Sequence, residues 1–355
     1  MSTFSSVLVS VLIFSFLIFV HELGHFLAAK SFGVQVNEFS MFMGPALFQK
    51  KIGQTVYSLR CIPMGGYCAM EGEDEDTDNP HSFQKAAWWK RLIILVSGAG
   101  MNFVVGVLIF IIFMLPATNM VTANISEVLD CVTFQGEQGL QVGDRIVSID
   151  GERVYVGDDV NMLLQVLPGD SREIVVERNG QKVTLHGIST HEHTDKDGKV
   201  TRHYGFDLTQ MKPTFLDNVK HGFLLTIDNV RNVRLGFAML FNGQAGLKDM
   251  TGAVGLVGAM TDVATQAKST FAAVWSMIYI GGVITVNLGV MNLLPIPALD
   301  GGRVAGLLLT TGIEKITRKK LDPKYEGYVH GVGMIILLAL IAIITFKDIF
   351  MIFKG

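Results

Sequence analysis

The sequence predicts a polytopic α-helical membrane protein: four transmembrane helices, a membrane-associated β-hairpin or small sheet, and an extracytoplasmic β/α module. Three observations predict it. Segments 4–26, 92–115, about 271–294 and about 328–346 (the last running on toward Phe353) are apolar and approach the ~20 residues that cross a bilayer. Residues 34–72 alternate loosely and carry turn signals at GP (44–45), KIG (51–53) and PMGG (63–66). Residues 121–210 are polar and strand-rich. Apolar residues make up 49% of the 355, mean hydropathy is +0.40, and a net charge of −3 leaves no footprint for nucleic acid.

Taken in order, residues 1–33 hold span one. From Phe4 to Val20 its only polar side chains are serines, and no side-chain charge precedes Glu22. It has no positive n-region. Its one small-residue cleavage candidate, at Ala28 and Ala29, lies beyond the motif HELGH, so it reads as a retained span. Region 34–72 follows, with VYSLRCI as a strand, and then the cytoplasmic acidic loop 73–91; the run EGEDEDTDNP (71–80) that leads into it reads as a solvated linker. Span two occupies 92–116 and opens on SGAGMNF, small residues that let another helix come close. Within 121–210, two strand–turn–strand units flank a short helix at VNMLLQVL, and Asn179-Gly180 marks a tight hairpin turn. His191 and His193 have no third ligand nearby and read as an exposed hairpin tip. Region 211–268 carries Phe215, Leu216, Val219, Phe223, Ile227 and Val230 at helical spacing, an amphipathic helix suited to the outer membrane surface. Span three fills 269–302, a loop 303–327, and span four 328–353.

Lys and Arg near span ends set orientation. None precedes span one. Lys30, Lys50, Lys51, Arg60, Lys85, Lys90 and Arg91 lie between spans one and two; Arg303, Lys315, Arg318, Lys319, Lys320 and Lys324 lie between three and four. Both loops are therefore expected in the cytoplasm, with 117–268 and both termini outside. Cys61, Cys68 and Cys131 form an odd set without CxxC, which favours free thiols.

HELGH puts His21 and His25 one turn apart on one helical face, the spacing at which two imidazoles bind one zinc, with Glu22 beside them as a base. Ionisable groups inside a span are costly and mark function by default. Lys30 is eight residues on, so Glu22 lies roughly 12 Å inward at 1.5 Å per residue. A catalytic zinc takes three protein ligands and keeps one open position. The residue six past His25 is Ser31, so the third ligand is sought at a distance, in MNLLPIPALDGG. Spans one and three run the same way, and Asp300 ends at the same side and depth as HELGH. Pro295 and Pro297 open the backbone, which is tolerated at membrane depth where it lines a wet or protein-buried cavity. Asn287 and Asn292 either bond neighbouring helices or hold a substrate backbone, Asn292 being nearer Asp300. Asn102 bonds either a neighbouring helix or the metal site, and reads as structural.

Together these pieces resemble the site-2 protease family of intramembrane zinc metalloproteases, in its bacterial, RseP-like form. HELGH, GMNF and NLLPIPALDGGR match the family's first-, second- and third-span motifs, and MGP with IPMGGY its re-entrant hairpin. GLQVGDRIVSIDG resembles a PDZ domain, present as a single copy. Ala99 and Ala253 stand where relatives usually have proline, and FQGEQGL lacks the usual alanine before its glycine. The resemblance implies one Zn2+ held by His21, His25 and Asp300, with Glu22 as catalytic base. It implies membrane-spanning substrates such as anti-sigma factors and signal-peptide remnants, trimmed beforehand, in the bacterial inner membrane. Two expectations follow. An exposed strand edge at 57–69 holds the substrate extended, naming Tyr57 and Leu59, with Asn292 opposite. The PDZ domain contacts a substrate ectodomain or C-terminus, or excludes bulky ones. A zinc transporter or a PDZ scaffold is the alternative; neither needs a glutamate between the histidines.

Overall fold

The computed structural model describes residues 2–73, 77–129, 139–169, 171–194, 200–246, 249–317 and 324–354. Cys131, the middle of the acidic loop, most of FQGEQGL, the tip 195–199 and Arg318 to Lys320 lie outside the described residues. The chain divides into two compact units, 1–109 with 229–355, and 110–228.

Among the described residues, four helices are long and apolar enough to cross a membrane: α1 (Thr3–Ser31), α2 (Trp88–Met114), α6 (Thr270–Asn292) and Gly331–Met351 within α8 (Lys324–Lys354). The molecule is a membrane protein of multiple spans. Helix α1 begins at Ser2, whose hydroxyl accepts from the Ser5 amide, and ends where Gly33 adopts φ 76°. Two of its buried serines, Ser10 and Ser15, carry little penalty, because they donate to carbonyls four residues back. Gly24 lies so close to the Ser97 carbonyl of α2 that no Cβ fits, and the two helices meet backbone to backbone.

Strands β1 (Val36–Ile52) and β2 (Thr55–Met70) form the expected sheet, but each folds over. Residues 46–52 pair antiparallel with 55–60, and 36–41 antiparallel with 66–70. The pairs Glu38↔Val56, Phe39↔Tyr57, Ser40↔Ser58 and Met41↔Leu59 advance together along both strands. The spatial order is thus 66–70, 36–41, 55–60, 46–52. Gly44 (φ 83°) and Gly65 (φ 78°) sit at the two fold-over points, where the sequence carries its GP and PMGG signals. Arg60 stitches three of these segments, donating to the Glu38 carboxylate at 2.7 Å and to the Tyr67 hydroxyl at 2.6 Å. One face packs on α1: Phe39 lies 5.4 Å from Phe19 and 4.7 Å from Phe26, and Tyr57 meets Phe26 edge-on.

The unit also contains α5 (Ala253–Gln266), which starts in the Gly-rich stretch, and α7 (Asp300–Thr317). Much of the segment expected as a loop at 303–327 is therefore helical. Span four is the least buried of the four. It is held at one end by the Asp348 carboxylate, which accepts from the amides of Gly252 and Gly255 at the first turn of α5. At the other end Gly333 rests on Pro297.

The second unit is a six-stranded sheet in the order β10 (Phe206–Met211), β3 (Met120–Val128), β4 (Arg145–Ile149), β6 (Ser171–Arg178), β7 (Gln181–Ser189), with β5 (Glu152–Arg153) off β4. Asn179 and Gly180 both take positive φ in the β6–β7 turn, as a tight hairpin requires. Helix α3 (Gly157–Val166) covers the core of Ile146, Ile149, Leu163, Ile174 and Val176. His191–Thr194 (β8) pairs with Val200–His203 (β9). Helix α4 (Phe215–Phe241) turns its polar residues Asn218, His221 and Thr226 inward, while Phe215 and Phe223 are 73% and 51% exposed. That outward apolar stripe is the inverse of a water-facing helix.

Candidate metal centre

Each residue of the centre is aimed by a local backbone choice. His21 and His25 leave α1 on one face. Asp300 opens α7, and the preceding loop folds down on it: Ala298 is held at φ 79°, and Gly301 and Gly302 leave no room for a Cβ against the backbone of Leu293, Leu294 and Ile296. A non-glycine residue at positive φ costs about 1–3 kcal/mol and persists where its surroundings impose it.

The three groups converge through single atoms. His21 Nε2 lies 3.0 Å from Asp300 Oδ2, His25 Nε2 lies 3.2 Å from the same oxygen, and the two Nε2 atoms are 3.2 Å apart. Tetrahedral zinc with bonds of 2.0–2.1 Å has ligand-to-ligand edges of about 3.3 Å, so the triangle is close to one face of that polyhedron. Two neutral imidazoles and a carboxylate are a catalytic zinc donor set. Gly98 of α2 completes the fit: a Cβ there would lie 2.8 Å from His21 Nε2 and closer still to His25 Nε2. Among the described residues this is the one group of three such donors able to share an ion; the side chains of His191 and His193 lie outside those described.

A cavity opens beside the triangle. Ile18, His21, Glu22, Asn102, Leu288, Asn292, Ala298, Leu299 and Asp300 line it. Glu22 is half-buried there, and a Cβ on Gly66 of the sheet would lie 3.8 Å from its Cγ. The edge segment 66–70 thus starts next to Glu22. Below it, Arg303 of α7 pairs with Glu73 at the start of the acidic loop.

The sequence-predicted residues divide accordingly. His21, Glu22, His25, Asp300 and Asn292 come together. Asn292 Nδ2 lies 3.3 and 3.4 Å from the two nitrogens of His21, nearly equidistant from both. Asn287 is absent from the cavity lining, because five residues along a helix turn it about 140° away. Tyr57 and Leu59 correct the strand-edge expectation: their segment is flanked by 36–41 on one side and 46–52 on the other, and the Tyr57 ring packs on Phe26. The edge without a strand partner beside Glu22, among the described residues, is 66–70. Asn102, read as structural, reaches the centre: its Nδ2 lies 3.2 Å from His21 Nδ1. Gly98 is a second residue that sequence reasoning missed; its only signal was the small-residue run SGAG.

The model of peptidase family M50 matches residues 9–340, nearly the whole chain. The chain belongs to peptidase family M50. A Clostridium perfringens protein provisionally named a zinc metalloprotease is 33% identical over 343 residues, covering 97% of this chain and 98% of its own. The zinc metalloprotease RasP of Geobacillus kaustophilus is 26% identical over 98% of each chain. The regulator of sigma-W protease RasP of Bacillus subtilis is 26% identical over 97% of this chain and 98% of its own.

Proposed function

We propose that this protein hydrolyses peptide bonds within the transmembrane segments of single-span substrates already trimmed by another protease, anti-sigma factors and signal-peptide remnants among them. The chain is a zinc metalloendopeptidase of the site-2 protease family. The observation that carries the reading is the convergence of His21, His25 and Asp300 beside Glu22, at a cavity among helices apolar enough to span a bilayer.

His21, His25 and Asp300 would hold the Zn2+. When bound, zinc supplies a water acidified toward neutrality and a polarised scissile carbonyl. Glu22 takes the proton of the attacking water and gives it to the departing amine. A helical substrate hides its carbonyls in i→i−4 bonds, so it has to be drawn out. The 66–70 edge offers backbone groups for strand addition, starting beside Glu22. The Asn292 amide, beside His21, holds the substrate backbone from the opposite wall. The active site lies near the cytoplasmic side of the bacterial inner membrane, with both termini outside, as the distribution of Lys and Arg supports.

Residues 121–210 are read as a single extracytoplasmic PDZ domain, supported by the antiparallel sheet, its edge strand β10 and helix α3. It acts as a size filter. Deleting 121–205 should allow cleavage of an untrimmed substrate; unchanged size discrimination would remove the filter role.

The test is to map the cut. Purified protein in liposomes is given a model single-span peptide, and the products are identified by mass spectrometry. The expected cut lies inside the apolar segment, is abolished by a chelator and returns with zinc. Cuts confined to the flanks, or unaffected by chelation, would refute the reading.

A further inference from the structure

We propose that Asn102 is a positioning residue for the metal: its side-chain oxygen accepts the Nδ1 proton of His21 and so fixes the tautomer that turns Nε2 toward the zinc. The inference rests on the reading of His21, His25 and Asp300 as zinc ligands.

The companion histidine sets the pattern. His25 Nδ1 lies 2.8 Å from the Ile94 carbonyl. A carbonyl only accepts, so His25 carries its proton on Nδ1 and leaves Nε2 free to face Asp300. Metal-binding imidazoles nearly always make such a bond from the nitrogen away from the ion. His21 also faces Asp300 through Nε2, so its Nδ1 must donate as well. Among the described residues, Asn102 and Asn292 are the side chains within hydrogen-bonding distance of that nitrogen, at 3.2 and 3.4 Å. Asn292 is as near to Nε2 as to Nδ1 and so is poorly aimed at either. Asn102 approaches Nδ1 alone.

Asn102 is 0% exposed, and its Oδ1 is buried without a hydrogen-bond partner. With Nδ2 toward the ring, two donors would confront each other while an acceptor goes unused nearby. An amide's oxygen and nitrogen are told apart by their partners. Half a turn of the amide gives the Nδ1 proton its acceptor and the buried oxygen its donor. Burial makes the choice consequential, because an unmade hydrogen bond is expensive where water cannot replace it.

The test measures zinc affinity by chelator competition in full-length protein: wild type, Asn102→Leu (similar size, no acceptor), Asn102→Asp (acceptor only) and Asp300→Asn. Melting temperature without metal is recorded for each. The expected result is a roughly 10- to 100-fold loss of affinity in Asn102→Leu, recovery to wild type or better in Asn102→Asp, and a visible Co2+ spectrum altered in Asn102→Leu alone of these two. Zinc bound by Asn102→Leu as tightly as by wild type would overturn the inference. So would equal losses in both Asn102 variants tracking a lowered melting temperature, which would make Asn102 a packing residue. Wild type whose zinc affinity is untouched by Asp300→Asn would instead refute the ligand set beneath it.

Discussion

Gly98→Ala removes nothing and adds one methyl group, yet it should weaken the metal centre's hold on zinc. The new Cβ would lie 2.8 Å from both His21 Cε1 and His21 Nε2, and nearer to His25 Nε2. Real Cβ atoms do not approach so closely, so the rings must turn away. His25 is tied to the Ile94 carbonyl and cannot turn without breaking that bond. Without metal the rings can relax; with metal they must converge, so the cost falls on the bound state. Overpacking of this kind costs about 1–3 kcal/mol, equivalent to a roughly 5- to 150-fold weaker zinc affinity at ~1.4 kcal/mol per tenfold. Gly100→Ala is the control. It lies on the same helix, no atom stands within 4 Å of its Cβ, and alanine is the better helix former by about 1 kcal/mol. Zinc competition on the two variants reads the difference directly. Equal affinities in Gly98→Ala and Gly100→Ala would refute the assignment of Gly98 as the wall of the metal centre.

Other outcomes are as specific. Gly24→Leu should destabilise the fold by about 1–3 kcal/mol, because α1 and α2 touch at backbone level there; a melting curve matching wild type would contradict that contact. Asn292→Ala should keep zinc and raise KM more than it lowers kcat, as expected of a residue that grips substrate; zinc loss in this variant would reassign it to the metal. Proline at Tyr67 or Cys68, whose N–H groups alternate between sheet and free edge, should impair cleavage at one of the two positions with folding retained. Cleavage unaffected at both would remove 66–70 as the substrate strand.

The legible and illegible parts of this molecule separate by range. Helical spacing is local, so HELGH disclosed His21, Glu22 and His25 at once. Asp300 is 275 residues from His25, yet it was readable, because prolines and glycines at the end of a span announce irregular backbone and span direction fixes the side. Asn102 was undervalued because an amide that bonds a neighbouring helix and one that bonds a ligand look the same in sequence. Tyr57 and Leu59 were misassigned for a different reason. Their turn signals were seen, but which segment lies beside which depends on β1 running next to 55–60, a pairing that no local pattern encodes. Helix α4 shows the same limit in another form. Its apolar period was plain, but periodicity names two faces without saying which is buried, and here the side bearing Asn218, His221 and Thr226 faces inward.

The most direct measurement counts zinc and cleavage on the same samples. Wild type, Glu22→Gln and Asp300→Asn are purified in parallel and given the single-span peptide. Wild type should cleave with about one zinc per chain. Glu22→Gln should keep its zinc and lose at least about 100-fold in rate, and Asp300→Asn should lose both. Full zinc in Asp300→Asn, or undiminished cleavage by Glu22→Gln, would contradict the division of the site into three ligands and one base.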